Sequence, residues 1–177
     1  MSGDWPEDAL LTPYRAHLES MAARYPGLAA TDPPGEMAVI SILRTGSMLM
    51  SAVSHNLAPF GVSESAFNML TLLAARPEGM TQTELSRCLI VSRANVTGLV
   101  DRLAARNLVE RQKPTRDRRV CLVTITPGGR DILDRVVPVH YRFLDGLLAG
   151  LTGRDKRELI RILARVRRLL PETPGNT

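Results

Sequence analysis

Aromatic residues, cysteines and histidines are all scarce in this sequence. Phe, Tyr and Trp together make up 4% of the 177 residues, and Leu, Val, Ile, Ala and Met supply most of the apolar content. This balance, spread over periodic segments, favours packed helices over a β-sandwich or barrel. The two cysteines, Cys88 and Cys121, and three histidines offer neither a disulfide framework nor the spacing of a zinc site. We therefore expect a largely helical protein without a metal or a cofactor.

The sequence also lacks the patterns of membrane proteins and of common enzymes. We find no uninterrupted run of about 18 apolar residues. Asp4, Glu7 and Asp8 lie where a secretory signal would be basic. There is no nucleophile elbow, no phosphate-binding glycine loop and no histidine paired with a carboxylate at a workable spacing. We predict a cytoplasmic protein that is not an enzyme and does not bind membranes.

Positive charge is concentrated in the middle of the chain. The formal net charge is only +5, but residues 81–130 carry ten Lys or Arg against four Asp or Glu. Residues 1–80 have four Arg against eight acids, and residues 152–177 have seven basic residues against three acids. A concentrated basic segment is typical of a nucleic-acid site. The C-terminal run fits a solvated helix surface better.

Helical periodicity and capping residues predict a mainly α fold with a small antiparallel β wing. The predicted helices cover residues 6–25, 36–58, 63–74, 81–89, 92–106, 126 onward and 152–170. Thr81 and Glu84 match a capping box. Two basic strands at 109–113 and 119–125 form the wing, and Pro138 is expected to kink the helix that follows. The arrangement at 81–125 is that of a winged helix-turn-helix.

The helix at 92–106 is predicted to read double-stranded DNA. Val96, Leu99, Val100 and Leu103 form one narrow apolar stripe, and the opposite arc is small and polar. Asn pairs with adenine and Arg with guanine, while small side chains let the backbone approach the groove. The predicted contacts outside the wing are Thr81, Ser92, Arg93, Ala94, Asn95, Thr97, Gly98 and Arg102. The alternative is that these are ordinary surface residues of a core helix. For Gly98, tight packing against another helix is a further alternative.

Asp101 needs a positive partner, because a carboxylate facing DNA repels phosphate. We predict that Asp101 orients a wing arginine, Arg119 in the first place, while the tip arginines Arg116, Arg118 and Arg119 enter the minor groove. Asp117 is expected to brace the turn of the tip. The alternative is a solvated charged hairpin.

At this point the sequence resembles a known family. Leu85-Ser86, Val96-Thr-Gly-Leu-Val-Asp-Arg-Leu103, Leu108-Val-Glu-Arg111, Asp117-Arg-Arg119 and Leu122-Val-Thr-Ile-Thr-Pro-Gly-Gly129 look like the pattern of the multiple antibiotic resistance regulator (MarR) family. The resemblance covers residues 36–170. It implies a homodimeric winged-helix transcription regulator whose terminal helices form the dimer interface. It also implies a wing arginine in the minor groove and release of DNA by a small aromatic or phenolic ligand.

The resemblance suggests a division of the chain. Residues 1–35 form an N-terminal extension with an extra helix, 36–62 and 127–177 the dimerisation region, and 63–126 the DNA-binding region. A urate-responsive branch also has an extra helix, but it carries an acid where this chain has Asn68 after Phe67. That difference argues against urate.

Amphipathic helices at both chain ends are typical of a dimer interface. A dimer would set two recognition helices about one DNA turn apart on a palindromic operator. Met48, His55, Phe67 and Asn68 are predicted to line a pocket for a small-molecule effector. Plain core packing is the alternative for the methionines, and a structural role is the alternative for His55.

Two further hypotheses stay open. Helical and strand periodicity place Cys88 and Cys121 on apolar sides, so we expect buried structural thiols rather than an oxidant sensor, which needs an exposed thiol of lowered pKa. The other hypothesis is a winged-helix module whose basic surface binds an acidic protein.

Overall fold

The computed structural model describes residues 8–25, 33–89, 93–112 and 121–171, without the side chains of residues 22, 33, 93 and 94. Within these ranges, seven helices and three short strands follow one another, and a 3-10 turn at Ala58–Phe60 follows the second helix. They are α1 (Thr12–Arg24), α2 (Pro33–Leu57), α3 (Glu64–Ala74), β1 (Met80–Thr81), α4 (Gln82–Cys88), α5 (Arg93–Ala105), β2 (Val109–Gln112), β3 (Leu122–Ile125), α6 (Pro127–Leu147) and α7 (Gly153–Leu169). The predicted mainly α fold with a small antiparallel sheet is confirmed.

Short-range caps begin most of these helices. The side chains of Ser63, Thr126 and Thr152 each accept a hydrogen bond from the backbone N–H three residues ahead, at 3.1 to 3.2 Å. Each cap satisfies a backbone donor that the first helical turn leaves without a partner. Pro127 follows Thr126 at the first helical position, where a missing N–H costs nothing. α6 continues through Pro138 as one helix.

The sheet has the strand order β1-β3-β2, and both pairings are antiparallel. Val109 lies opposite Ile125 and Gln112 opposite Leu122, so β2 and β3 form the stem of the predicted wing. β1 adds Met80 opposite Val123. β1 was not predicted, because two residues are too few to show a strand pattern.

The chain forms two compact units, residues 1–53 and residues 54–177. In the first unit, Nη1 of Arg44 donates to the hydroxyl of Tyr14 at 3.1 Å, and the guanidinium lies 5.3 Å from the centre of that ring. An open groove of about 570 Å³ lies beside Leu18, Val39 and Ile40. The large apolar side chains of α2 are mainly exposed, Leu43 at 67%.

By length and composition alone, one segment within the described ranges, Pro34–Phe60, is apolar enough to cross a membrane. A single helix of this kind is weak support for a membrane span, because the core helices of soluble proteins meet the same criterion.

In the second unit the core lies among α3, α4, α5, the sheet and the first half of α6. The most completely buried large side chains include Leu57, Met69, Leu70, Leu73, Leu85, Val100, Leu103, Val123 and Val136. α7 buries none of its side chains, and Leu159, Ile160, Ile162, Leu169 and Leu170 are exposed. The DNA-reading elements predicted from the sequence therefore belong to the packed part of this unit.

Candidate nucleic-acid interface

A capping box fixes the start of α4. The backbone N–H and hydroxyl of Thr81 donate to Oε2 of Glu84 at 2.7 and 2.8 Å, and the Thr81 hydroxyl accepts from the Glu84 N–H at 3.1 Å. The backbone hydrogen bond from Thr81, followed by that from its hydroxyl, lowers the pKa of Glu84. The predicted capping box is confirmed. The Thr81 hydroxyl, predicted to contact DNA, therefore has its single hydrogen committed to the cap.

α5 has the two faces that its sequence predicts. Val96, Leu99, Val100 and Leu103 are buried, with exposed fractions between 0% and 4%. The opposite arc carries the exposed side chains of Asn95, Thr97, Asp101 and Arg102 and the partly exposed Gly98. Arg93 and Ala94 begin the helix, but their side chains lie outside the described residues, as does the whole of Ser92.

Two side chains join α5 to α4. The hydroxyl of Thr97 donates to Oε1 of Gln82 at 2.9 Å across 15 residues of sequence. Gln82, the first residue of α4, was not among the residues predicted to contact DNA. Its position at the start of the first helix of the helix-turn-helix was the only signal available, and it was too general to single out this side chain.

Gly98 gives Arg102 room on the exposed arc. A methyl group at Gly98 would lie 3.4 Å from Nη1 of Arg102, at the edge of ordinary van der Waals contact, and within 4 Å it would meet no other described atom from outside its own turn of helix. Within the described part of the chain, no neighbouring element packs tightly against this glycine.

Asp101 is held by an arginine of the wing stem. Oδ1 of Asp101 lies 2.6 Å from Nη2 of Arg111 in β2. The prediction named Arg119 as the first choice, and Arg119 lies outside the described residues together with Arg116, Asp117 and Arg118. Arg111 is close because β2 follows α5 after only a three-residue turn, which returns the chain along the helix.

The C-terminal end of α5 is anchored at two points. Nη1 of Arg106 donates to the carbonyl of Gly61 at 2.6 Å. Asn107 adopts φ +55°, the left-handed conformation that often ends helices, and its carbonyl accepts from the Thr126 hydroxyl at 2.7 Å. These contacts connect the end of α5 to the turn before α3 and to the start of α6.

The comparisons with known proteins agree with this geometry. The family model described as the MarR family matches residues 60–120. The repressor CouR of Rhodococcus jostii RHA1, solved on a 23-mer DNA duplex, is 32% identical to this chain; the match covers 72% of this chain and 89% of CouR, with a TM-score of 0.64. This chain belongs to the MarR family. CouR has also been solved with p-coumaroyl-CoA.

Two further MarR-type relatives match most of the chain. The repressor YetL of Bacillus subtilis is 27% identical over 70% of this chain and 75% of YetL. Sco3205 of Streptomyces coelicolor, a MarR-family regulator solved with DNA, covers 82% of this chain and 97% of its own, at 21% identity and a TM-score of 0.74. These relatives are transcription regulators rather than enzymes. The predicted winged helix-turn-helix is thus confirmed, and the protein is a MarR-family transcription regulator.

The residues predicted to line an effector pocket lie in different environments. Phe67 is buried, and its ring meets the edge of His140, with ring centres 4.7 Å apart. Asn68 and His55 are exposed, and Asn68 donates to Glu64 of its own helix at 3.1 Å. Met48, in the first unit, is 57% exposed.

His140 was not among the predicted residues, although it is the most buried ionisable side chain in the described part of this MarR-family protein. Its Nδ1 lies 2.9 Å from Oδ1 of Asn56, and burial lowers its pKa. A lone histidine in an amphipathic helix carries no signal of such a contact, since Asn56 is 84 residues away.

The prediction of two buried thiols was wrong, because both Cys88 and Cys121 are exposed. Cys88 is the last residue of α4, and the extended Leu89 that follows turns into the core in its place. Cys121 lies just before β3, so the alternation that buries Val123 and Ile125 does not extend to it. Among the parts of the chain that are described, no group of three or more His, Cys, Asp or Glu is placed to hold a metal ion.

Proposed function

We propose that this MarR-family regulator is a homodimeric, sequence-specific repressor that leaves a palindromic operator when a small aromatic or phenolic ligand binds. The observation that carries the proposal is the two-faced α5, buried along one stripe, polar on the other and held to β2 by the pair of Asp101 and Arg111. A helix fixed in this way is suited to enter the major groove while the wing follows the backbone.

The proposed contacts divide by chemistry. Asn95 and Arg102 hydrogen-bond base edges, and Gly98 and Ala94 allow close approach. Ser92 and Arg93 meet the phosphates. Thr81 and Thr97, whose hydroxyl hydrogens are donated to Glu84 and Gln82, contact the DNA through van der Waals packing. In the wing, Arg116, Arg118 and Arg119 enter the minor groove, and Asp101 and Asp117 orient the hairpin.

Exposed apolar side chains support the homodimer. They lie on α2, on the second half of α6 and on α7, and the largest include Val39, Leu43, Met48, Tyr141, Ile160, Leu169 and Leu170. Apolar surface on this scale marks an interaction site. We assign 36–62 and 127–177 to dimerisation, 63–126 to DNA binding and 1–35 to an N-terminal extension. Two copies would set their α5 helices about 34 Å apart, one turn of a palindrome.

A dimer interface also accounts for the exposed apolar side chains of α2, so a membrane is not needed to cover them. Location beside DNA in the cytoplasm follows from the proposed activity. For the effector, Met48, His55, Phe67 and Asn68 remain the proposed lining, and the complex of CouR with p-coumaroyl-CoA supports an aromatic ligand class.

DNA binding is tested by fluorescence anisotropy with an operator selected from random duplexes. Wild type is expected to bind at about 10 nM or tighter, at least ~1,000-fold tighter than it binds an unrelated duplex, with a steep salt dependence. Asn95→Ala and Arg102→Ala should each weaken operator binding by about 5- to 100-fold. Arg157→Ala, which removes an exposed charge from α7, is the control. Undiminished binding by both α5 variants would exclude α5 as the reading helix.

The dimer is tested by light scattering coupled to size exclusion. Ile160 is 63% exposed on α7, and Ile160→Asp is expected to give monomers that bind a single half-site weakly. Arg76→Asp adds an acid at an exposed position outside the ranges assigned to dimerisation and should leave the dimer intact. A wild-type monomer at micromolar concentration would contradict the proposal.

Exposure of both cysteines favours a second trigger, oxidation, in place of a ligand. Peroxide should then release DNA from wild type and have no effect on the Cys88→Ser/Cys121→Ser double variant. If the double variant responds as wild type does, the thiols are not the trigger.

A further inference from the structure

We propose that Gln82 binds a phosphate of the DNA backbone through its side-chain amide and that Thr97 positions it. The two helices of the helix-turn-helix would then hold the duplex through one shared pair of side chains. The proposal rests on the proposed function, because it requires that α5 enters a duplex.

The pair lies at the rim of the helix-turn-helix. Gln82 is the first residue of α4 and is partly exposed, and Thr97 lies on the exposed arc of α5. Their hydrogen bond, 2.9 Å from the Thr97 hydroxyl to Oε1 of Gln82, links side chains of these two helices. The hydrogen bond holds the amide oxygen of Gln82 on the side that faces α5. No described residue accepts a hydrogen bond from the Nε2 group of Gln82.

The chemistry of the two groups assigns their roles. A threonine hydroxyl has one hydrogen, and Thr97 has already given it to Gln82, so no donor remains there for a base or a phosphate. The Gln82 amide keeps two N–H donors, and neutral amides are common partners of phosphate oxygens. In a helix-turn-helix the first helix crosses the backbone while the second lies in the groove. Gln82 begins that first helix.

Nearby charges also favour an anion at this position. The carboxylate of Glu84 is held within the Thr81 cap. Arg76 and Arg87 are close enough to stabilise that carboxylate electrostatically, so the start of α4 is not dominated by negative charge.

The first test compares Gln82→Ala with Gln82→Glu on the selected operator and on an unrelated duplex. Gln82→Ala should weaken binding to both by about 3- to 10-fold and leave the salt slope unchanged, because glutamine carries no charge. Gln82→Glu keeps an oxygen for Thr97 but sets a carboxylate against phosphate. Its loss should be larger at low salt and shrink as salt rises.

The second test separates positioning from contact. Thr97→Val removes the hydroxyl at constant size, and Thr97→Ser keeps it. We expect Thr97→Val to lose most of the DNA affinity that Gln82→Ala loses, and Thr97→Ser to bind DNA as tightly as wild type. The double variant Gln82→Ala/Thr97→Val should lose no more affinity than Gln82→Ala alone. Replacing the contacted phosphate by a neutral methylphosphonate should weaken wild type but leave Gln82→Ala unaffected.

Two results would overturn the assignment while leaving the proposed function intact. In the first, Gln82→Glu binds both duplexes as tightly as wild type does. The other is a loss confined to the operator, which would make Gln82 a reader of bases. Failure of wild type to bind any duplex at low salt would overturn the proposed function and this assignment together.

Discussion

Asp101 and Arg111 connect the recognition helix to the first strand of the wing through an ion pair 2.6 Å long. The side chains are 56% and 36% exposed, respectively. An exposed pair of this kind stabilises a fold by about 0.2–1 kcal/mol at most. Its main consequence is therefore geometric: it sets the angle between α5 and β2 and neutralises a carboxylate on the surface proposed to face phosphate.

Removing the acid should reduce operator binding with little effect on stability. We expect Asp101→Asn to change the free energy of unfolding by less than about 1 kcal/mol, and to weaken operator binding about 5- to 10-fold because the wing loses its brace. Arg111→Gln should have the same effects. The loss of operator affinity in the double variant should be smaller than the product of the two single fold-losses. Urea unfolding and anisotropy measure both quantities.

Asp145→Asn, on α6, is the control for the loss of one negative charge. If Asp101→Asn bound the operator more tightly than wild type, simple repulsion of phosphate would be its only effect. The bracing role of Asp101 would then be refuted.

A methyl group at Gly98 should separate stability from DNA binding. Of the described side chains, that methyl group meets the flexible end of Arg102 alone, at 3.4 Å, so Gly98→Ala is expected to raise the unfolding free energy by about 0.5–1 kcal/mol. That is about 1–4 °C in the midpoint of thermal unfolding. Operator affinity should fall by more than about 10-fold, because the backbone no longer approaches the groove. Equal affinity would show that Gly98 does not lie against DNA.

Gly129 is needed for packing rather than for flexibility. A methyl group there would overlap the carbonyl oxygen of Leu108 and lie 2.6 Å from Cγ1 of Ile125. Gly129→Ala should therefore lower the unfolding free energy by about 2 kcal/mol or more. Gly146→Ala, in the same helix with nothing within 4 Å, should be neutral or slightly stabilising. Denaturant midpoints test the contrast, and similar values for both variants would contradict it.

The sequence predicted the parts of this fold that depend on near neighbours. The Thr81 and Glu84 box, the Ser63, Thr126 and Thr152 caps and the buried stripe of α5 all arise from residues within a few positions of one another. Helical periodicity fixes these relationships before any tertiary contact forms. The start of each of these helices could therefore be placed to within a residue or two.

Partners distant in sequence could not be predicted. Arg111 lies beside Asp101 and Gln82 lies beside Thr97, and a turn angle or a helix crossing decides each contact. Arg119, the predicted partner of Asp101, lies outside the described residues. Cys88 and Cys121 were misplaced for a related reason. Each lies at the edge of an element, where the periodic pattern still extends but the packing has ended.

His140 should make the stability of the protein depend on pH. It is 5% exposed, it lies beside Asn56 and Phe67, and burial lowers its pKa. Above about pH 6.5 the ring is neutral in both the folded and the unfolded chain. Below that pH the unfolded chain takes up a proton that the folded ring resists. Stability is therefore full above the unfolded pKa and is lost as the pH falls from there toward the folded pKa.

Urea unfolding at about pH 7.5 and about pH 5.5 measures this loss, in a range where carboxylates stay largely ionised. His140→Gln retains a donor for Asn56 but has no group that titrates between these values, so its stability should change less with pH than that of wild type. His55→Gln removes an exposed histidine one residue before Asn56 and should keep the wild-type dependence. If His140→Gln lost as much stability on acidification as wild type, the protonation of His140 in the unfolded chain would not be the cause of the loss. The buried ring would then have no part in the pH response.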